Sequence, residues 1–110
     1  MFKTIMIGEK EVGVLANAAS PILYKQIFKE DFLLELQKKN VDVDAIVKIS
    51  FVMAMQAEKK IGELTKLTVE DFLRWLEQFE PLDVYLHADE LMEAYNKNTK
   101  STSIPKKEGD

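Results

Sequence analysis

The hydrophobic pattern changes period along the chain, and each change predicts an element. Asp44 to Leu64 reads DAIVKISFVMAMQAEKKIGEL, and between Ala45 and Ala57 only Lys48, Ser50 and Gln56 are polar. Ile46, Ile49, Met53, Ala57, Ile61 and Leu64 recur at three- and four-residue steps, the spacing of one helix face. Val47, Phe51, Val52 and Met55 add apolar surface on the other faces. A helix apolar nearly all round is normally buried, so this segment is expected to run through the core. Its apolar part is shorter than the roughly 20 residues that span a membrane, and no membrane association is expected.

Phe2 to Ile7 alternates instead, with Lys3, Ile5 and Ile7 on one side and Phe2, Thr4 and Met6 on the other. Gly8-Glu9 follows, and Val12, Val14 and Ala16 then share a face. Two short strands around a glycine turn predict a β-hairpin over about 2–16. Gly8 can supply a positive φ for the turn, and Gly13 points to a bulge or a close approach inside the second strand. A lone hairpin is barely stable in water, so it must lie on the helices or pair with another chain by self-association.

The rest of the chain reads as helix. Ser20-Pro21 looks like an N-cap with proline at the first helical position, opening a helix that carries Ile22, Leu23, Tyr24, Ile27 and Phe28. Asp31 is a candidate cap for Phe32, Leu33 and Leu36, either as a second helix or as the continuation of the first. Lys38-Lys39-Asn40 reads as a helix end, and Asp42 or Asp44 as the cap of the central helix. Gly62 weakens the end of that helix. Thr68 with Asp71 forms a variant capping box before a stripe of Phe72, Trp75, Leu76 and Phe79, which Pro81 interrupts. A last helix over about 82–95 is expected to bury Val84, Ala88, Leu91, Met92 and Tyr95. Residues 96–110 are polar and lysine-rich and are expected to be disordered. The predicted fold class is α+β, mostly α: an N-terminal β-hairpin followed by four to five helices packed around a central apolar helix. The predicted domain is residues 1–95.

Composition narrows the function more than it names it. The chain has 110 residues, a net charge of −4 and no cysteine, which excludes disulfides and cysteine metal sites. Residues 68–94 hold eight acidic side chains against one basic, Arg74. That excess repels a phosphate backbone and argues against nucleic-acid binding. The four glycines stand too far apart for a phosphate loop, and His87 is the only histidine. The pairs Glu30-Asp31, Glu70-Asp71 and Asp89-Glu90 are sequence neighbours, which point in different directions on a helix. The chain therefore reads as a non-enzyme without cofactor or metal. Trp75 is either an interface anchor or a core residue, and Met55 either suits an adaptable groove or packs inside.

Ile7-Gly8-Glu9-Lys10 leading to Ala16-Asn17-Ala18, then Tyr24, Phe28, Asp31 and Leu33, resembles the phage tail assembly chaperones of Gram-positive siphophages and prophages. Phe72-Leu73-Arg74-Trp75-Leu76, then Leu91, Tyr95 and Asn96, is similar to the same family. Family members often carry a glycine after the Phe, where this chain has Lys29-Glu30. The resemblance implies a protein of the host bacterial cytoplasm, absent from the mature virion. It would bind the tape measure protein, keep it soluble and help tail tube protein polymerise around it. Tyr24, Phe28, Met55 and Trp75 are the candidate partner-binding residues. The resemblance also implies a longer form made by a −1 ribosomal frameshift, for which Lys106-Lys107 marks a candidate adenine-rich site; a solvated basic tail is the alternative. A structural tail-completion or head–tail connector subunit is the competing function.

Overall fold

The computed structural model describes residues 2–86 and 92. Strands β1 (Phe2–Ile7) and β2 (Lys10–Leu15) pair antiparallel, with Ile7 opposite Lys10, Ile5 opposite Val12 and Phe2 opposite Leu15. Gly8 takes a φ of 64° while Glu9 keeps a negative one, the pattern of a two-residue turn with glycine in its first position. The register runs unbroken past Gly13, so there is no bulge. The close approach is real: a Cβ at Gly13 would stand 2.8 Å from the Phe2 ring, which lies across the strand. Ile7 and Val14 face inward and are buried, while Phe2 and Met6 face out.

Among the described residues six helices follow: α1 (Ser20–Phe28), α2 (Phe32–Leu36), α3 (Val43–Glu58), α4 (Ile61–Leu64), α5 (Val69–Leu76) and α6 (Pro81–Leu86). The fold is α+β and mostly α, and α3 is its axis. From Ala45 to Gln56 only Lys48 escapes burial, and β2, α1, α2, α4, α5 and α6 pack against α3. Ser50 is the buried hydroxyl in this stretch, and it donates to the Ile46 carbonyl 2.7 Å away. That local bond meets the demand that a buried polar group be partnered.

Caps decide where the helices begin. The Asp31 carboxylate accepts from the Leu33 and Leu34 N–H groups, and Asp42, rather than Asp44, caps α3. Thr68 and Asp71 close the expected capping box at α5, each accepting from the other's backbone N–H. Residues 20–36 form two helices. Lys29 breaks them by taking the left-handed conformation itself, φ 61°, with its N–H on the Lys25 carbonyl. This is the position where glycine would be free of steric cost.

Several expectations are corrected. The central helix ends at Glu58, because Lys59 and Lys60 are extended and Glu63 reaches back to the Lys60 N–H to open α4. The break swings Ile61 out of the buried stripe, leaving it 78% exposed, while Leu64 stays buried. Gly62 lies inside α4, with open space where a side chain would be. Ser20 does not cap α1; Ala19 occupies the N-cap position and Ser20 points into the core. Ile22 and Leu33 are exposed rather than part of the buried faces. Helix α2 ends at Leu36, before Lys38-Lys39-Asn40. Val84 is buried and Met92 packs at the edge of the core. The expectations for His87, Ala88, Leu91, Tyr95, the 96–110 tail and Lys106-Lys107 lie outside the described residues.

Candidate functional site

A groove of about 360 Å³ opens where three elements meet. Glu11, Val12 and Gly13 of β2 form one side, Ala54, Met55, Ala57 and Glu58 of α3 the second, and Trp75 with Gln78 the third. Phe2 stands at its rim, 62% exposed. The groove exists because Gly13 and the two alanines leave room where larger side chains would fill the space between strand and helices. Met55 and Trp75 are mostly buried and form its apolar floor. Trp75 is held in place by Phe79 edge-on at 4.9 Å and Phe51 at 5.6 Å, and its carbonyl accepts from the Gln78 side chain. Among the described residues the charged ones in the lining are Glu11 and Glu58, so these walls are acidic around an apolar floor.

Tyr24 and Phe28 do not line this groove. Tyr24 is buried beside a separate polar cleft of about 500 Å³ that also holds Glu30, Glu35, Asp42 and Lys48. Its hydroxyl donates to Glu30 Oε1 at 3.1 Å, and Lys48 Nζ donates to the same oxygen while sitting 5.3 Å over the Phe28 ring. Burial, reinforced by the Glu30 carboxylate, pushes the Tyr24 hydroxyl far above its ordinary pKa. Lys38, then the Asp42 N–H, hold the Glu35 carboxyl below the usual carboxylate range. The carboxylates lie along the cleft without converging: among the described residues no group of three or more His, Cys, Asp or Glu side chains is placed to hold a metal ion.

The candidates therefore fall on two sides of the molecule, joined by one run of rings. Tyr24 meets Phe28 at 5.2 Å, Phe28 meets Phe72 at 5.0 Å, Phe72 meets Phe51 at 5.4 Å and Phe51 meets Trp75. Tilted and edge-on pairs at such spacings add to burial, and they make this run the rigid interior between cleft and groove. Sequence reasoning missed Phe2 and Ala57 as groove residues. The one signal pointing to them was Gly13, an isolated glycine inside a strand.

A polar lock, buried at Ser20 and Gln56 and open to solvent at Asn17, lies next to the groove. Ser20 Oγ donates to Gln56 Oε1 at 2.5 Å, Gln56 Nε2 donates to Asn17 Oδ1 at 3.0 Å, and Asn17 N–H donates back to Ser20 Oγ at 3.0 Å. The ring ties the hairpin exit to α3 one residue from Ala57. The Ala16-Asn17-Ala18 segment thereby has a structural reason: Ala16 is buried and Asn17 holds the lock. Among the described residues no helix is long and apolar enough to cross a membrane. No family model, curated protein or solved structure matches the chain.

Proposed function

We propose that this protein is a tail assembly chaperone of a phage or prophage, and that its groove takes an amphipathic helix of the tape measure protein. The observation that carries the reading is the groove floored by Met55 and Trp75 and walled by Glu11 and Glu58. An apolar floor between acidic walls suits a helix whose apolar stripe is flanked by Lys or Arg. Methionine on the floor adapts to different side chains along a long partner. A tape measure is a long helical protein whose apolar stripes would aggregate before the tube covers them. Several copies of a small binder along one tape would shield those stripes, and weak individual contacts would let tube subunits displace them. The family resemblance of the hairpin and of the Phe72–Leu76 segment supports the same reading.

The test is co-expression with the tape measure protein encoded by the same phage. The soluble fraction of the tape measure should rise several-fold, and the two proteins should co-purify. Mass spectrometry of purified virions should then find the tape measure and tube proteins without this chain. Stoichiometric recovery of the chain in virions would instead make it a structural tail-completion or connector subunit.

A further inference from the structure

We propose that the outer edge of β1 is a self-pairing surface, joining two copies antiparallel, β1 to β1, about a two-fold axis through Thr4. A two-residue turn makes Ile7 and Lys10 a hydrogen-bonded pair, and bonding alternates from there along an antiparallel ladder. Ile7, Ile5 and Lys3 therefore bond across the hairpin, while Met6, Thr4 and Phe2 direct their N–H and C=O groups outward. Among the described residues no hydrogen bond beyond the hairpin engages residues 2–7. Helix α3 packs along β2, and β1 lies on the far side of the hairpin from it.

Exposed edges are usually blunted by proline, a bulge or repeated charge. Here β1 has no proline and no bulge, and Lys3 is its one charged residue, half-buried on the inner face. The hairpin as a whole is neutral, Lys3 and Lys10 balancing Glu9 and Glu11, although the chain carries −4. Two copies thus approach through a segment that carries no net charge.

The edge is its own complement, which selects a second copy over an unrelated strand. With Thr4 opposite the partner's Thr4, Phe2 falls opposite the partner's Met6, and Met6 opposite the partner's Phe2. Every outward-directed residue of β1 then sits in a hydrogen-bonded pair. A shift of two residues either way leaves one end unpaired. The same register lays Phe2, 62% exposed, against a methionine that is 49% exposed, so each covers the other. Lys3 opposes the partner's Ile5, and no like charges meet. The product is a four-stranded sheet, which is stable where a lone two-stranded hairpin is marginal. Because Phe2 stands at the groove rim, the partner's Met6 would extend each groove by one apolar side chain. The inference stands apart from the tape measure reading and is tested without that protein.

The full chain should sediment at twice its 12.6 kDa mass. Thr4→Pro removes one outward N–H and none of the hairpin's own bonds, and it should shift the chain to monomer. Thr4→Lys sets two ammonium groups face to face on the axis and should weaken the dimer by up to ~fivefold. Far-UV circular dichroism of both variants should match the parent, separating loss of pairing from loss of folding. The chain has no cysteine, so single cysteines report the register. Across the axis, Thr4→Cys pairs lie about 5.5 Å apart between Cα atoms. Met6→Cys pairs lie about 14 Å apart, four strand residues away. A short bis-maleimide should therefore join Thr4→Cys chains and spare Met6→Cys chains. A monomeric parent, a dimer that survives both Thr4→Pro and Thr4→Lys, or equal cross-linking at both cysteines would overturn the proposal.

Discussion

Replacing Ser20 by alanine sets two effects against each other with opposite signs. Ser20 is fully buried in the first turn of α1, and alanine is the better helix former by up to ~0.7 kcal/mol. On propensity alone Ser20→Ala stabilises. The polar lock predicts the reverse. Without Ser20 Oγ, the Gln56 carbonyl oxygen loses its donor and the Asn17 N–H loses its acceptor. Gln56 is only 8% exposed, so water restores little, and an orphaned buried acceptor costs about 1–3 kcal/mol. The net expectation is a loss of about 1–2 kcal/mol, or roughly 4–15 °C in melting temperature for a domain of this size. A double-mutant cycle with Gln56→Leu isolates the cause. Each single variant leaves a buried partner unsatisfied, whereas the double variant removes both and should lose less than the sum of the singles. Urea denaturation followed by circular dichroism gives all four free energies. A coupling energy near 1 kcal/mol supports the lock, while additivity within about 0.3–0.5 kcal/mol refutes it.

Other substitutions probe the core, the turns and the titrating groups. Phe51→Ala removes a fully buried ring that meets Phe28, Phe72 and Trp75, and should cost about 3–5 kcal/mol by urea denaturation. Gly8→Ala places a Cβ at φ 64° and against the flexible Asp83 carboxylate; it should destabilise by about 1 kcal/mol, and Asp83→Ala should not restore the loss, because the strain lies in the backbone. Tyr24 is held protonated by burial and by its bond to Glu30, so its contribution is complete below about pH 10, where a free tyrosine titrates, and is lost as pH rises beyond it. Melting temperature should therefore fall more steeply above pH 10 in the parent than in Tyr24→Phe; parallel curves would contradict this.

The parts of the fold legible in the sequence are those set by local pattern. Alternation around Gly8 marked the hairpin, the apolar run marked α3, and Thr68 with Asp71 marked the start of α5, because each signal and its cause lie within a few residues. The misread parts depend on distant partners. Ser20 has the sequence of an N-cap, but its hydroxyl is claimed by Gln56, 36 residues away. The end of α3 carries neither proline nor glycine at Lys59-Lys60; the break rests on Glu63 recapping the chain. Lys29 adopts a conformation that a glycine would have announced. The groove, as a candidate site, was half legible. Met55 and Trp75 were named by separate arguments and share one groove, whereas Tyr24 and Phe28 belong to the other side. Whether an aromatic residue lines a groove or fills a core depends on the neighbouring element, which helical spacing does not reveal.

Trp75 is the only tryptophan of the chain and lies on the groove floor, so its fluorescence reports occupancy directly. The most direct measurement is a titration of the full chain with a tryptophan-free helical fragment of the tape measure protein, read by Trp75 emission. A saturable change in emission is expected. It should be lost in Ala57→Arg, which blocks the groove from a half-exposed position and should leave the circular dichroism spectrum unchanged. Binding of the fragment without any change in Trp75 emission, or binding that survives Ala57→Arg, would contradict the account.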